Sequence, residues 1–323
     1  MIVVDNGSVD GSNDLVRNKF PDVQLLEFAD NAGFAGGVNR GIRLALEQGA
    51  KHIVLLNNDA VADEHWLEEL RAVADAEEGV GIVAAKIVAM DGKRIDSTGD
   101  FYSIWGFAFP RGRGEVDSGQ YDSEEMDEIF SASGGASLYS AEMLREIGLF
   151  DERFFAYLED VDISFRGRLA GWKIRYAPKA TVRHFIGGSS SRMNINGADS
   201  NAPAAPSGVH SRPNAFARYH TVKNFSYLYT KNMPGYLYWK YLPRFWASVG
   251  MVLVSDLKRG MLLSNVRANL VALMHLPAVL VDRRKIQSSR NVAPREIDRS
   301  LLHQLPPAQR LRFERLGLVR PPE

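Results

Sequence analysis

Short runs of β-branched and other apolar residues alternate with segments of helical periodicity over the first 90 residues. The runs predict strands at residues 2–4, 23–28, 52–56 and 81–88. The segments between them predict helices at residues 13–19, 34–48 and 64–76. Strands that alternate with helices build βαβ units, so we expect an α/β fold with a mostly parallel sheet flanked by helices.

Polar clusters follow the first and third predicted strands, at the sheet edge where such folds bind ligands. The cluster Asp5-Asn6-Gly7-Ser8 can contact a base or a ribose, or it can form a turn and a helix cap. The cluster Asn57-Asn58-Asp59 can hold a hard divalent cation and diphosphate oxygens, or it can turn the chain into a helix. The residues alone leave both alternatives open at each cluster.

A glycine-rich segment, Asn31-Ala32-Gly33 to Asn39, enters the second predicted helix. Backbone N–H groups at such a helix start are suited to binding phosphate. The segment lacks the G-x-G-x-x-G pattern, and no lysine follows a glycine loop as in P-loop proteins. This pattern disfavours a dinucleotide-dependent dehydrogenase and a P-loop nucleotidase.

Three carboxylates occur within four residues in Glu159-Asp160-Val161-Asp162, at the start of a predicted helix. One of them can serve as a general base, or all can simply favour the positive end of the helix dipole. His184 follows Arg183 at the end of a predicted strand and is either a metal ligand or a structural histidine.

Charge divides the chain into two unequal parts, although its 39 basic and 39 acidic residues cancel. Residues 1–209 contain 20 Lys and Arg against 33 Asp and Glu, whereas residues 210–323 contain 19 against 6. An acidic front half is typical of a carboxylate and metal site, and a basic, aromatic-rich tail is attracted by phosphate or anionic lipid. The chain has no cysteine, which excludes a thiol nucleophile, a thiolate metal site and a disulfide.

Composition also predicts three regions. Residues 1–190 contain the α/β elements, including a long Gly-rich excursion at 91–131, strands at 133–139, 173–176 and 181–185, and helices at 140–147 and 161–170. Residues 191–215 are rich in Gly, Ser, Asn and Pro and predict a flexible linker. Residues 216–323 predict a basic helical region, which either lies on a membrane or packs on the first domain as a helical subdomain.

In order, these segments resemble family 2 glycosyltransferases of the GT-A fold, specifically their rhamnosyltransferase-like branch. The resemblance covers about residues 1–285 and depends on six motifs in sequence order, followed by A-G-W and V-R-H. The motifs are V-V-D-N-G-S-V-D-G-S at 3–12, N-A-G-F-A-G-G-V-N-R-G at 31–41, L-L-N-N-D at 55–59, S-G-G-A-S-L-Y at 133–139, F-D-E-R-F-F at 150–155 and E-D-V-D-I-S-F-R at 159–166.

The resemblance implies roles for particular residues. Asp160 would be the catalytic base, with Glu159 and Asp162 orienting it. Asp59 and His184 would hold Mg²⁺ or Mn²⁺, although the family's D-x-D-type motif has an amide at its first position here. The residues implied to bind the donor nucleotide, its ribose or its phosphates are Asp5, Asn6, Ser8, Asn31, Gly33, Asn39, Asn57, Asn58 and Arg166.

The activity implied by the resemblance is an inverting transfer of a sugar, with L-rhamnose one candidate. The donor would be a dTDP-, UDP- or GDP-sugar, and the acceptor a hydroxyl of a cell-surface polysaccharide or a polyprenyl-diphosphate-linked glycan. A non-catalytic relic that binds sugar nucleotides or glycans is the alternative. No recognition motif predicts binding to nucleic acid.

The beginning of the chain departs from the family pattern, which places a further strand and helix before the strand at Ile2. That strand would lie beside Ile2–Val4 and complete the base pocket. No signal peptide opens the chain, and no apolar stretch reaches the roughly 20 residues of a membrane span. We therefore expect a cytoplasmic protein, peripheral at the inner face of the membrane where the tail binds anionic lipid.

Overall fold

The computed structural model describes residues 1–123, 128–185, 215–317 and 319. Its strands are β1 (Ile2–Asn6), β2 (Gln24–Phe28), β3 (His52–Leu56), β4 (Ala60–Ala62), β5 (Val80–Ala89), β6 (Ile95–Ser97), β7 (Asp100–Tyr102), β8 (Ala108–Pro110), β9 (Ala136–Ser140) and β10 (Lys173–His184). Its helices are α1 (Ser12–Lys19), α2 (Gly33–Glu47), α3 (Trp66–Ala76), α4 (Ala141–Ile147), α5 (Glu159–Ala170), α6 (Ala215–Asn232), α7 (Gly235–Lys258), α8 (Leu262–Met274), α9 (Leu276–Ser288), α10 (Pro294–Ser300) and α11 (Pro307–Arg315). Each strand and helix predicted in the first 90 residues forms within a few residues of its expected bounds.

The expected α/β fold with flanking helices is confirmed, although its main sheet is mixed rather than mostly parallel. Its order is β3-β9-β5-β10-β4, with β6 also paired to β5, and among the described neighbouring strands of this sheet only β5 and β10 pair in parallel. Apolar runs do not encode strand direction, which depends on the connections. The chain reaches β9 through the long excursion after β5 rather than through a crossover helix, and β9 therefore enters antiparallel to β5.

The first two strands form a separate parallel pair, in which Ile2 lies opposite Gln24 and Asn6 opposite Phe28. In the described part of the chain, β1 is hydrogen-bonded along one edge only, to β2. Helix α2 packs against both β1 and β3 and so bridges the small pair and the main sheet.

The two short strands predicted at 173–176 and 181–185 are one strand, β10. Its pairing with β5 shifts register between Ala177 and Thr181, on either side of Pro178. Proline has no N–H to give to the ladder, so an irregularity at this point preserves the strand on both sides.

The C-terminal helices share a hydrophobic core with the α/β region. Phe165 on α5 lies 5.0 Å from Phe130 between ring centroids, and both belong to the cluster that includes Phe245 of α7. On the other side of that cluster, Tyr229 of α6 stacks on Phe245 at 4.1 Å. The predicted helical region therefore packs on the α/β region, while the predicted linker, apart from Ala215 in α6, lies outside the described residues.

A buried carboxylate joins α5 to α6. The Asp162 side chain is fully buried and accepts hydrogen bonds from Arg166 Nε at 2.9 Å, Lys231 Nζ at 2.9 Å and Asn232 Nδ2 at 2.8 Å. Lys231 also donates to Asp151 at 2.7 Å, in the loop before α5. Burial raises the pKa of Asp162, but Lys231 and Arg166 lower it by more, so that it stays below its ordinary value.

Replacing Lys231 with methionine should remove the positive charge that Asp162 and Asp151 share. We expect Lys231→Met to lower the free energy of unfolding by about 3–5 kcal/mol in urea denaturation. Lys240→Met is the matched control, because Lys240 forms an exposed ion pair with Asp298, and it should cost less than about 1 kcal/mol. Equal losses in the two variants would contradict the assignment.

Candidate active site

Asp160 is held at the start of α5 by backbone N–H groups. Its Oδ2 atom accepts from the N–H of Gly134 at 3.0 Å, and its Oδ1 atom accepts from the N–H of Val161 at 2.8 Å. Burial raises its pKa although these hydrogen bonds oppose the shift. A partly exposed carboxylate with a raised pKa and a fixed direction is suited to accepting a proton.

Glu159 lies beside Asp160 and is almost completely buried. Its Oε2 atom has no hydrogen-bond partner among the described residues. Burial and the charge of Asp160 raise the pKa of Glu159 well above its ordinary value. Glu159 therefore holds a proton more strongly than an exposed glutamate does.

Gly134 and Gly135 bring three segments of the site together. The N–H of Gly134 donates to Asp160. The Phe34 ring at the start of α2 packs against Gly134, and a Cβ added to this glycine would lie 2.9 Å from Phe34 Cζ. Gly135 accepts from the N–H of Asn57 at 2.9 Å, and a Cβ there would lie 3.2 Å from Asn57 Nδ2. The segment after β3, the start of α2 and the start of α5 therefore meet at this glycine pair.

Asp59 and His184 meet where β10 pairs with β4. His184 Nε2 lies 3.4 Å from Asp59 Oδ1, and His184 Nδ1 lies 2.9 Å from Asp96 Oδ2. The hydrogen bond to Asp96 raises the pKa of His184, as do the charges of Asp96 and Asp59. Asp96 thus orients the imidazole so that its other nitrogen faces the Asp59 carboxylate.

This pair fits a divalent cation, because carboxylate oxygen is a ligand of both Mg²⁺ and Mn²⁺, whereas the imidazole nitrogen suits a transition-metal ion such as Mn²⁺ better than Mg²⁺. Within the described ranges, no group of three or more His, Asp or Glu side chains is arranged to hold a metal ion. Asp59 and His184 would therefore supply two ligands and leave the other positions to ligand oxygens and water.

Sequence reasoning missed Asp96, Asp100 and Arg113, which lie in the excursion between β5 and β9. Arg113 Nη2 contacts Asp96 Oδ1 at 3.0 Å, and its charge partly offsets the rise that burial causes in the pKa of Asp100 and of Asp160. Burial, followed by the nearby charge of Asp160, raises the pKa of Asp100 to about 7. The available signal was R-I-D-S-T-G-D at 94–100, two acids four residues apart in a Gly-rich segment.

Five of the nine residues expected on the donor side, Asp5, Asn6, Ser8, Asn31 and Gly33, form one connected group. Asn6 Nδ2 donates to Asn31 Oδ1 at 3.1 Å and to the carbonyl of Gly33 at 2.8 Å. Asp5 accepts from the N–H of Ser8 at 3.2 Å, and its pKa stays below its ordinary value: burial raises it, and the hydrogen bonds lower it by more. The end of β1 and the entry to α2 are therefore held side by side.

Three other predicted residues are engaged inside the protein instead. Asn39 is buried, and its side chain donates to the carbonyl of Phe150 at 2.9 Å and accepts from the N–H of the same residue at 3.0 Å. Arg166 donates to Asp162 and to carbonyls of the turn after α4. The Asp162 carboxylate is hydrogen-bonded within the network that joins α5 to α6. The structure brings none of these three side chains to Asp160 or to the donor-side group. The prediction included them because a sequence motif does not distinguish residues that contact a ligand from residues that support the site.

The loop from Phe155 to Leu158 carries backbone strain directly before Glu159. The φ angles of Phe155, Tyr157 and Leu158 are 65°, 71° and 70°, and none of these residues is glycine. Each such conformation costs about 1–3 kcal/mol and persists only where its surroundings hold it. Strain of this kind next to a candidate base marks the loop as part of the site.

Comparisons with known proteins show which family the chain resembles in sequence and in fold. The family model described as "Glycosyltransferase like family 2" matches residues 1–197. The chain is similar to N-acetylglucosaminyl-diphospho-decaprenol L-rhamnosyltransferase of Mycobacterium tuberculosis, at 28% identity over 209 residues, covering 59% of this chain and 68% of that protein. It is also similar to dTDP-rhamnosyl transferase RfbF of Shigella flexneri, at 24% identity over 235 residues, covering 72% and 71%.

Among solved structures, the chain is similar in fold to GalNAc-T7 with UDP, GalNAc and Mn²⁺. The TM-score is 0.53 at 13% identity, covering 78% of this chain and 44% of that one. At this identity the likeness concerns the fold alone, and it agrees with the expected GT-A architecture.

Gly33 supports the contact between the entry to α2 and the strained loop. Its φ is 74°, and an added Cβ would stand 2.4 Å from the carbonyl oxygen of Phe155. Gly49 is the matched control, because its φ is 79° but nothing lies within 4 Å of an added Cβ. We expect Gly49→Ala to lower the free energy of unfolding by about 1–2 kcal/mol, because alanine is strained in the left-handed backbone conformation. Gly33→Ala should lower the free energy of unfolding, measured by urea denaturation, by about 1–3 kcal/mol more than Gly49→Ala does. An equal loss in the two variants would show that the contact between residue 33 and Phe155 is not tight.

Proposed function

Because the chain belongs to glycosyltransferase family 2, we propose that it transfers a sugar from a nucleoside-diphosphate donor to an acceptor hydroxyl with inversion of the anomeric carbon. The observation that carries this proposal is the carboxylate of Asp160, fixed by the N–H groups of Gly134 and Val161. Through Gly134 and Gly135 it adjoins the segment that contains the candidate donor residues.

Asp160 is the general base of the proposed reaction. It removes the proton of the acceptor hydroxyl while the acceptor oxygen bonds to the anomeric carbon and the bond from that carbon to the diphosphate oxygen breaks. One displacement with one base gives inversion. The raised pKa of Glu159 favours its neutral form, which limits the negative charge beside Asp160, and the two N–H groups hold the Asp160 carboxylate in place.

Asp59 and His184 are proposed to hold Mn²⁺ or Mg²⁺, with Asp96 fixing the imidazole. When bound, the ion would neutralise the charge that develops on the departing diphosphate. Asp5, Asn6 and Asn31 would bind the nucleoside. Their mutual hydrogen bonds hold the end of β1 and the entry to α2 in register before a ligand arrives.

The names of the relatives support a narrower choice of substrates. Both are rhamnosyltransferases by name, one of which names dTDP-rhamnose as donor and the other a decaprenol-diphosphate acceptor. We propose dTDP-rhamnose as the first donor to test and a polyprenyl-diphosphate-linked glycan as the acceptor class. UDP-sugars and GDP-sugars are the other donors to test.

The acceptor class is consistent with an exposed apolar stripe on α7. Trp239 and Trp246 are 72% and 61% exposed and lie seven residues apart, and Leu253 continues the same face. Trp at an interface, with the surplus of Lys and Arg in residues 210–323, suits a membrane surface bearing anionic lipid. In the described part, no helix alone has the length and hydropathy of a membrane span, whereas α8 and α9 meet the test only as a pair bent by 58°.

Asp160→Asn tests the base. Turnover of the accepted donor should fall about 10²- to 10⁴-fold, because asparagine cannot take the proton. In the wild type, kcat should fall as pH decreases through the pKa of Asp160, which burial places above the ordinary aspartate value. Asp14→Asn, on the exposed face of α1, is the control and should keep wild-type turnover. Turnover of Asp160→Asn within a few-fold of the control would refute the assignment, whereas a wild type that binds donors without turnover would support the non-catalytic alternative.

Asp96→Asn tests the metal pair through the residue that orients His184. Loss of the carboxylate acceptor should lower Mn²⁺ affinity about 10- to 100-fold, measured by calorimetry with dTDP, UDP or GDP present. Asp91→Asn, in the turn that follows β5, is the control. Unchanged Mn²⁺ affinity in Asp96→Asn would remove His184 from the proposed ligand set.

Trp239→Ala and Trp246→Ala together test the membrane surface. Binding to vesicles of phosphatidylglycerol and phosphatidylcholine should fall at least about tenfold, because two interfacial aromatic side chains are lost. Leu67→Ala, which removes a 55% exposed side chain from α3, is the control and should bind as the wild type does. Equal vesicle binding by all three proteins would contradict the proposed surface.

A further inference from the structure

The strained loop before α5 is held by groups on α6. At Phe155 the backbone forms a γ-turn, with φ of 65° and ψ of −61°, and the N–H of Ala156 donates to the carbonyl of Phe154 at 2.8 Å. Leu158, in the left-handed region, then precedes the first residue of α5. A chain in this conformation turns its carbonyl groups away from the ordinary helical or strand partners. Those carbonyls need donors from elsewhere.

Asn224 supplies two of these donors, because its side-chain amide has two N–H bonds within reach of three of the carbonyls. It is fully buried on α6, and its Nδ2 group lies 2.9 Å from the carbonyl oxygen of Phe154, 2.9 Å from that of Ala156 and 2.7 Å from that of Tyr157. The neighbouring Lys223 Nζ donates to the carbonyl of Arg153 at 2.6 Å. One amide group therefore spans the whole strained segment.

The opposite side of the loop faces the donor segment. The carbonyl of Phe155 accepts from the N–H of Ala35 at 3.3 Å, and the Phe155 ring stacks on His220 of α6 at 5.1 Å. The loop thus lies between α6 and the start of α2 and leads directly into Glu159 and Asp160. A shift of its backbone would move the start of α5.

We propose that Asn224 is a positioning residue of the transfer reaction. It binds no substrate. By holding the carbonyls of Phe154, Ala156 and Tyr157, it keeps the loop in its strained form and so fixes the direction of the Asp160 carboxylate. This inference rests on the proposed function, because it assigns a consequence for catalysis to a contact in the protein interior.

The test uses the full chain with Asn224→Asp, which keeps the shape of the side chain but places carboxylate oxygens against the loop carbonyls. We expect kcat for the accepted nucleotide sugar to fall about 10²-fold, as small displacements of a reacting group do. The donor KM should change by less than about threefold, because the donor residues do not contact Asn224. A purely structural residue would lower the amount of folded enzyme without such a split.

Amide hydrogen exchange supplies a second readout that needs no substrate. Residues 155–161 should exchange at least about tenfold faster in Asn224→Asp, while β5 keeps its wild-type protection. Asn224→Ala serves the same purpose should the aspartate variant fail to fold. Asn269→Ala is the matched control, since among the described residues the Asn269 side chain donates hydrogen bonds within α8, to Asn265.

The outcomes separate the two proposals. Normal kcat and KM together with normal exchange in the Asn224 variants would overturn the positioning role. Unchanged kcat with faster exchange would also overturn it, because the loop would then be free to move without cost to the reaction. A wild type that turns over no donor would instead defeat the proposed function, and the exchange result would still decide whether Asn224 holds the loop.

Discussion

The Asp162 carboxylate is the constraint on which the arrangement of this protein depends. A fully buried charge is tolerated only with compensating cations and donors, and here these come from both α5 and α6. The network therefore specifies how the C-terminal helices meet the α/β region. Since Asp160 is two residues away on the same helix, the orientation of α5 on α6 also sets the position of the candidate base.

Neighbouring acids in the sequence have opposite electrostatic roles. Lys231 and Arg166 keep the pKa of Asp162 low, whereas burial raises the pKa of Glu159 and Asp160. The cations that stabilise α5 thus lie on the interior side of the helix. The site side retains carboxylates that hold protons more strongly, which is the property that general base chemistry near neutral pH uses.

Local features of the fold could be predicted, and long-range ones could not. The elements of the first 90 residues follow from periodicity, because a helix or a parallel strand buries a recognisable face. The direction of β9 and the continuity of β10 depend on pairing partners distant in the chain, which a local pattern does not encode. The same limit applies to the site: Asp59, His184 and Asp160 belong to recognisable motifs, whereas Asp96 and Asn224 are identified only by what they contact.

Motif membership also proved to be a poor guide to what a residue does. Asn39, Asp162 and Arg166 lie within the motifs that carry the family resemblance, yet their polar atoms are engaged by the protein interior. Gly33 and Gly134 matter for the opposite reason, because a missing side chain lets two segments approach. The motifs therefore include residues that support the site as well as residues that can contact a ligand.

The proposed metal-assisted nucleotide site, formed by the end of β1, the entry to α2 and the Asp59 and His184 pair, is tested most directly by thermal unfolding. The wild-type chain would be unfolded with dTDP, UDP or GDP, each with and without Mn²⁺. A ligand that binds the native state at about 100 times its Kd stabilises it by about 2.7 kcal/mol. We expect such stabilisation by one nucleoside diphosphate with Mn²⁺ present and little without the ion. An unfolding temperature unchanged by every nucleotide, with and without Mn²⁺, would contradict the claim.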